Sequence, residues 1–148
     1  MIRNLLIKES RIDGWVRSNP ISAQGIIVEL VYRLVAASCK KPRERRFPLG
    51  DSLGQPGPDG ILDTSFGFPP FVPEGKSYWQ IGTGGREAEK ASKDFNSLVK
   101  SIDNAERLNS TFIFVTPRSS TKGWQVKNQK NWIKSKISKK EWKDVRII

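Results

Sequence analysis

The chain has 148 residues, enough for one domain with a single hydrophobic core, and 36% of them are hydrophobic. Lys and Arg number 26 against 15 Asp and Glu, a formal net charge of +11 that makes a polyanion the first partner to expect, nucleic acid before membrane. The lack of histidine and the single cysteine, Cys39, exclude histidine acid/base chemistry, Ser-His-Asp and Cys-His nucleophiles, intrachain disulfides and Cys/His zinc sites. What remains is carboxylates, lysines, hydroxyls and a hard metal ion such as Mg²⁺, which needs only one or two carboxylates plus water and phosphate oxygens.

The first residues, MIRNLLIKESRIDGW, hold too short an apolar run for a secretory signal. The longest apolar stretch, IIVELVYRLVAA, is broken by Glu29 and Arg33 and is not expected to span a bilayer. A cytoplasmic protein with no membrane partner is the expectation. Residues 22–38 predict an amphipathic helix, with Ile26, Ile27, Leu30, Val31, Leu34 and Val35 at helical spacing, Ser22 as N-cap and Gly25 weakening the first turn. This helix is read as core, with Glu29 solvated or facing a site.

The segment KKPRERRFPLGDSLGQPGPDG is dense in Pro and Gly and predicts a loop, with a short strand near Arg46 to Leu49. GILDTSF predicts a strand. FGFPPFVPEGKS is a loop because Pro69, Pro70 and Pro73 suit neither ladder nor helix. SYWQIG predicts a second strand, Gly82, Gly84 and Gly85 a turn, and Arg86 to about Asp103 a helix. Residues 111–117, TFIFVTP, form the continuous apolar run of a buried strand. Basic, Trp-bearing and partly irregular segments follow, and a last strand covers Asp144 to Ile148. Strand, helix and strand around Trp79 to Thr116 predict a parallel crossover. The expected fold is α/β, a mixed central sheet flanked by helices.

The charge is clustered. Lys40 to Arg46 carries five basic residues and one acid, and Arg118 to Ile148 ten basic residues and two acids. Clustering favours a binding face, with Lys40, Lys41, Arg43, Arg45, Arg46, Arg118, Lys122 and Lys127 as candidate nucleic-acid contacts. Trp124 and Trp132 lie among lysines and suit either base stacking or core packing; Trp142 is expected in the core.

Metal-assisted phosphodiester hydrolysis needs anionic ligands and a cation near the attacking water or the developing charge. Asp59 stands at the entry to one predicted strand, Gln80 on the next, and Lys90 one to two turns into the following helix. Pro-Asp-Gly is also an ordinary turn sequence, and Asp63 is a competing carboxylate four residues further on. The GTGG turn could cradle a phosphate or serve as a tight turn needing positive φ; neither a P-loop nor a full GxGxxG motif is present.

Together, GWV…VELVYRLVAAS, FPLGDSL…GPDG, FVPEGKSYWQIGTG, EKASKDF, TFIFVTPRS and EWKDVRI resemble a restriction-endonuclease-like domain of the PD-(D/E)XK superfamily. More narrowly, they resemble the N-terminal nuclease domains of prokaryotic antiviral defence proteins of the STAND/NACHT type. The run from PDG through VPEG-S-W to EKA-KDF is the specific part. The resemblance implies an αβββαβ core and Mg²⁺-dependent cleavage of double-stranded DNA. Its first acid falls on Asp59. Its second, after the Trp of S-x-W-E, falls on Gln80, where an amide replaces the charge. Its lysine falls on Lys90 of KASKD, because the usual E-x-K position is Gly82. Metal ligation is thereby implied for Asp59 and Gln80, and catalysis for Asp59, Gln80 and Lys90. Relatives continue past DVRI, which implies that residues 1–148 are a module of a longer protein, with any homo-oligomer driven by sequence outside this chain. The alternatives are a non-catalytic nucleic-acid-binding module that kept the fold and, further off, an RNA-directed domain.

Overall fold

The computed structural model describes residues 7–49 and 56–148. Two helices come first, α1 (Glu9–Ser18) and α2 (Pro20–Ser38). Strands β1 (Glu44–Arg46), β2 (Gly60–Thr64) and β3 (Gly75–Ile81) follow, then α3 (Glu87–Ser101), a single turn α4 (Asn104–Arg107), β4 (Ser110–Val115), α5 (Val126–Ile137) and β5 (Asp144–Ile147). One five-stranded sheet has the order β1-β2-β3-β4-β5. The first three strands form an antiparallel meander, and β3, β4 and β5 run parallel. The parallel pairs are joined through helices, α3 and α4 between β3 and β4 and α5 between β4 and β5, as parallel pairing requires.

Alternation along the strands sorts the core into two layers. Leu62, Trp79, Ile81, Ile113 and Val115 pack with α1 and α2. Ile61, Tyr78, Phe112, Phe114 and Val145 pack with Phe95 and Leu98 of α3 and with Trp124 and Trp142. The expected mixed sheet flanked by helices is therefore present, and β4 is buried at every position as its apolar run predicts.

Several local expectations are corrected. Helix α2 starts at Pro20 rather than near Ser22, with Asn19 in the capping position and Pro at its first turn, where a missing N–H costs nothing. The short strand is Glu44–Arg46, ahead of the Arg46–Leu49 expected, because β1 pairs Arg46 with Ile61 and Phe47 turns into the core. The helix α1 was not anticipated. The Trp-bearing segment expected to be partly irregular contains α5. Residues 1–6 and 50–55, the latter within the expected loop and the FPLGDSL stretch, lie outside the described residues. By length and composition alone α2 is long and apolar enough to cross a bilayer, despite Glu29 and Arg33. Here Ala23, Ile27, Val28, Val31 and Val35 bury one face of it in the core.

Candidate active site

The antiparallel register sets the site. Gly60 pairs with Trp79, so Asp59, one residue earlier, comes level with Gln80. Two hydrogen bonds close this level: the Ile81 N–H donates to Asp59 Oδ2 at 2.7 Å, and the Asp59 N–H donates to Gln80 Oε1 at 3.3 Å. Gly60 is required because a Cβ there would overlap the Phe47 ring.

Lys90 reaches the same level from α3. A Cβ on Gly82 would stand 2.7 Å from the Phe114 ring and 3.2 Å from Lys90 Cγ. The lysine stem thus crosses the β3 exit where a strand lysine would otherwise start. Its ammonium lies 2.6 Å from both carboxylate oxygens of Asp94, one helical turn on. The Asp94 side chain is 9% exposed and that of Lys90 46%.

Burial pushes the Asp59 carboxyl above its ordinary range; the Ile81 N–H and the Lys90 charge oppose this, and the Asp94 charge adds to it. Burial likewise raises Asp94, against the hydrogen bond and charge of Lys90. The charges of Lys90 and of buried Asp94 are thus felt at the partly buried Asp59, while Lys90 pairs directly with Asp94. Asp63, the competing carboxylate, lies near the other end of β2, where it accepts from Arg43 at 2.6 Å. It is not part of this group.

The residues named from the sequence divide clearly. Asp59, Gln80 and Lys90 are brought together. Asp94 was overlooked as a candidate, although it closes the KASKD segment; its i,i+4 spacing from Lys90 is the signal that identifies it. Of the basic residues, Arg46 is opposite Ile61 and shares with it the sheet face that carries Gln80. Arg118 donates to the Thr83 carbonyl at 2.9 Å, beside the glycine turn. Arg43 is taken up by Asp63 and by Ser65. Arg45 points to the other face, over the Tyr32 ring and onto the Cys39 carbonyl. Lys40, Lys41, Lys122 and Lys127 are exposed.

Arg118 is placed by a buried anchor. Asp13 of α1, 2% exposed, accepts from the N–H groups of Ser119 and Ser120, from the Ser120 hydroxyl and from Arg17. Burial disfavours its charge, but these bonds outweigh it and hold its pKa down to about 2. The neighbouring Thr121 hydroxyl donates to buried Glu87 at 2.6 Å, which pins the same loop to α3.

Two other sequence expectations change. None of Gly82, Gly84 and Gly85 takes a positive φ, so Gly82 is needed for room and not for a left-handed turn. A phosphate cradle at the α3 N-terminus is opposed by Glu87 and Glu89 in its first turn. Trp124 and Trp142 are buried, and Trp132 packs on Phe95 and bonds Ser92, so these rings form core and do not stack bases. An apolar concavity of about 410 Å³ lies on the opposite sheet face, lined by Leu30, Leu34, Phe71 and Trp79, and holds none of these groups.

The donors at this level suit a hard cation only sparsely. Among the described residues no three His, Cys, Asp or Glu side chains gather. Asp59 Oδ1 makes no hydrogen bond among them, and Gln80 Oε1 keeps one lone pair beyond that used by the Asp59 N–H. One carboxylate oxygen and one amide oxygen are hard donors, and they fit an ion that retains most of its waters. Comparison with protein families, curated proteins and solved structures finds no match for this chain.

Proposed function

We propose that this chain is a Mg²⁺-dependent DNA endonuclease domain of a prokaryotic antiviral defence protein, on a restriction-endonuclease-like core. The observation that carries the reading is the convergence of Asp59, held by the Ile81 N–H, with Lys90, whose stem fills the room over Gly82. In support, the order from α2 to β4 is α, three β, α and β once the single turn α4 is set aside, with the first three strands antiparallel and the fourth parallel to the third.

Asp59 would hold the metal through Oδ1, with Gln80 Oε1 as a neutral second ligand. When bound, the ion supplies Lewis-acid stabilisation of phosphoryl oxygens. Lys90 donates from its ammonium to a non-bridging phosphate oxygen or to the attacking water. Gln80 holds the Asp59 backbone in place through its amide oxygen. Arg46 and Arg118 neutralise backbone phosphates on either side of this point without reading bases.

The amide at position 80 favours a second reading, a DNA-binding module without turnover, because Gln80 Oε1 is already engaged by the Asp59 N–H and brings no charge to the metal. Incubation with supercoiled plasmid in Mg²⁺ or in EDTA separates the two. Nicking or linearisation only with Mg²⁺ supports the nuclease. Salt-sensitive binding without cleavage in either condition supports the module.

A further inference from the structure

We propose that Asp94 supplies the second anionic metal ligand that Gln80 cannot, and that Lys90 holds this carboxylate until the metal takes it. The inference rests on the nuclease reading above and adds a ligand and an exchange to it.

Three local relations lead from Asp59 to Asp94. The Ile81 N–H fastens Asp59 at 2.7 Å. The next residue, Gly82, leaves its side-chain space to Lys90. Lys90 Nζ then meets both oxygens of Asp94 at 2.6 Å. Lys90 pairs directly with Asp94 on α3, and the charges of both are felt at Asp59 on the β3 level. Both oxygens of a buried carboxylate are spent on one half-exposed ammonium. An ordinary exposed i,i+4 pair gains little from such an arrangement, about 0.3–0.5 kcal/mol. Burial of Asp94 thus calls for a stronger reason than helix stability.

With both oxygens of Asp94 on Lys90 Nζ, at most one of the three ammonium N–H donors is left for a phosphate. A divalent cation offers Asp94 a better partner than an ammonium, and its arrival would free Lys90 for the scissile phosphate. All three donors of the lysine would be free for the phosphate once a metal held Asp94. The negative charge missing at Gln80 is restored from the helix, and the protein loses no ligand charge overall.

The test is metal binding, read directly as the loss of the free Mn²⁺ paramagnetic signal, with Mg²⁺ as competitor, on the intact chain. Groups that merely orient a metal ligand are worth about 10–100-fold in affinity, so Asp94→Asn is expected to weaken Mn²⁺ binding by at least about tenfold. Lys90→Met is expected to tighten binding several-fold, because the competitor for Asp94 is gone. That gain should shrink toward unity in the Asp94→Asn background, a coupling that a double-mutant cycle isolates. Circular dichroism checks that each variant is folded. Weakened binding by Asp59→Asn with unchanged binding by Asp94→Asn overturns the proposal and leaves the nuclease reading standing. An equal gain from Lys90→Met in both backgrounds also overturns it. No Mn²⁺ or Mg²⁺ binding by the unmodified chain overturns both.

Discussion

Lys90 Cγ lies 3.2 Å from where a Cβ on Gly82 would stand. The helix lysine and the strand glycine are therefore one structural choice: the lysine can come from α3 only if the strand offers no side chain. Gly82→Ala must displace Lys90 or the Phe114 ring, and overpacking of this kind costs about 1–3 kcal/mol. Denaturant unfolding should show that loss. The rate of Mg²⁺-dependent cleavage should fall by about 100-fold, as expected for a catalytic group displaced by about 1 Å. Full activity in a destabilised Gly82→Ala would separate Lys90 from catalysis.

The partly buried Asp59 charge should cost the fold stability. Its carboxyl titrates above the ordinary 3.8, so over that interval the native state binds more protons than the unfolded state. Stability contributed by the group is then present at low pH and falls as pH rises from 3.8 through the folded value. Asp59→Asn keeps an oxygen for the Ile81 N–H and removes the charge. Its Tm should exceed that of the unmodified chain at pH 7, and the gap should close as the pH approaches 3.8. A lower Tm at neutral pH would show that the charge is stabilising in place.

Asp13 has the opposite sign. Its pKa of about 2 lies below the ordinary 3.8, so its stabilisation is complete above 3.8 and is lost as the pH falls through about 2. Asp13→Asn should destabilise the chain by about 1–3 kcal/mol at pH 7, the cost of leaving buried donors poorly paired. That difference should vanish in acid unfolding below about pH 2. A uniform difference across the pH range would place its cause elsewhere.

Much of this was legible in the sequence where one force acts alone. The apolar run of β4 and the helical spacing of α3 gave their elements within two residues, because burial alone decides them. Asp59, Gln80 and Lys90 could be named because their order along the chain resembles that of the PD-(D/E)XK site residues; the residues taken singly read as a turn, a strand amide and a solvated lysine. What stayed hidden depends on pairing across the fold. Helix α1 carries Gly14 and few apolar residues, and it is held by Val16 in the core and by Asp13 on a loop more than 100 residues away. The Trp-bearing segment suited either base stacking or core packing because its rings lie among lysines; α5 turns Trp132 inward, leaves Lys127, Lys130 and Lys134 outside, and buries Lys136 over the Phe95 and Trp132 rings. Asp94 carries a spacing signal, i,i+4 from Lys90, but the sequence does not show that its side chain is buried, and on an exposed helix that spacing means an ordinary ion pair.

The basic residues should differ in their contribution to DNA binding. Arg46 shares the sheet face of the site, whereas Arg43 is already engaged by Asp63 at 2.6 Å. In duplex titrations without metal, Arg46→Ala should reduce the slope of log affinity against log salt by about 1, the value for one lost phosphate contact. Arg43→Ala should change it less. Equal losses from both would mean that DNA tracks the β1 edge rather than the face of the sheet.

The central claim is that Asp59 and Lys90 form one hydrolytic site. Single-turnover cleavage of a labelled duplex in Mg²⁺, measured alongside duplex affinity, tests it most directly for the unmodified chain, Asp59→Ala, Lys90→Ala and Gln80→Glu. Asp59→Ala and Lys90→Ala should each abolish cleavage while binding and fold persist. Gln80→Glu, which keeps an acceptor for the Asp59 N–H and adds a charge, should cleave faster. Cleavage unchanged in both alanine variants, or no Mg²⁺-dependent cleavage by the unmodified chain or by Gln80→Glu, would contradict it.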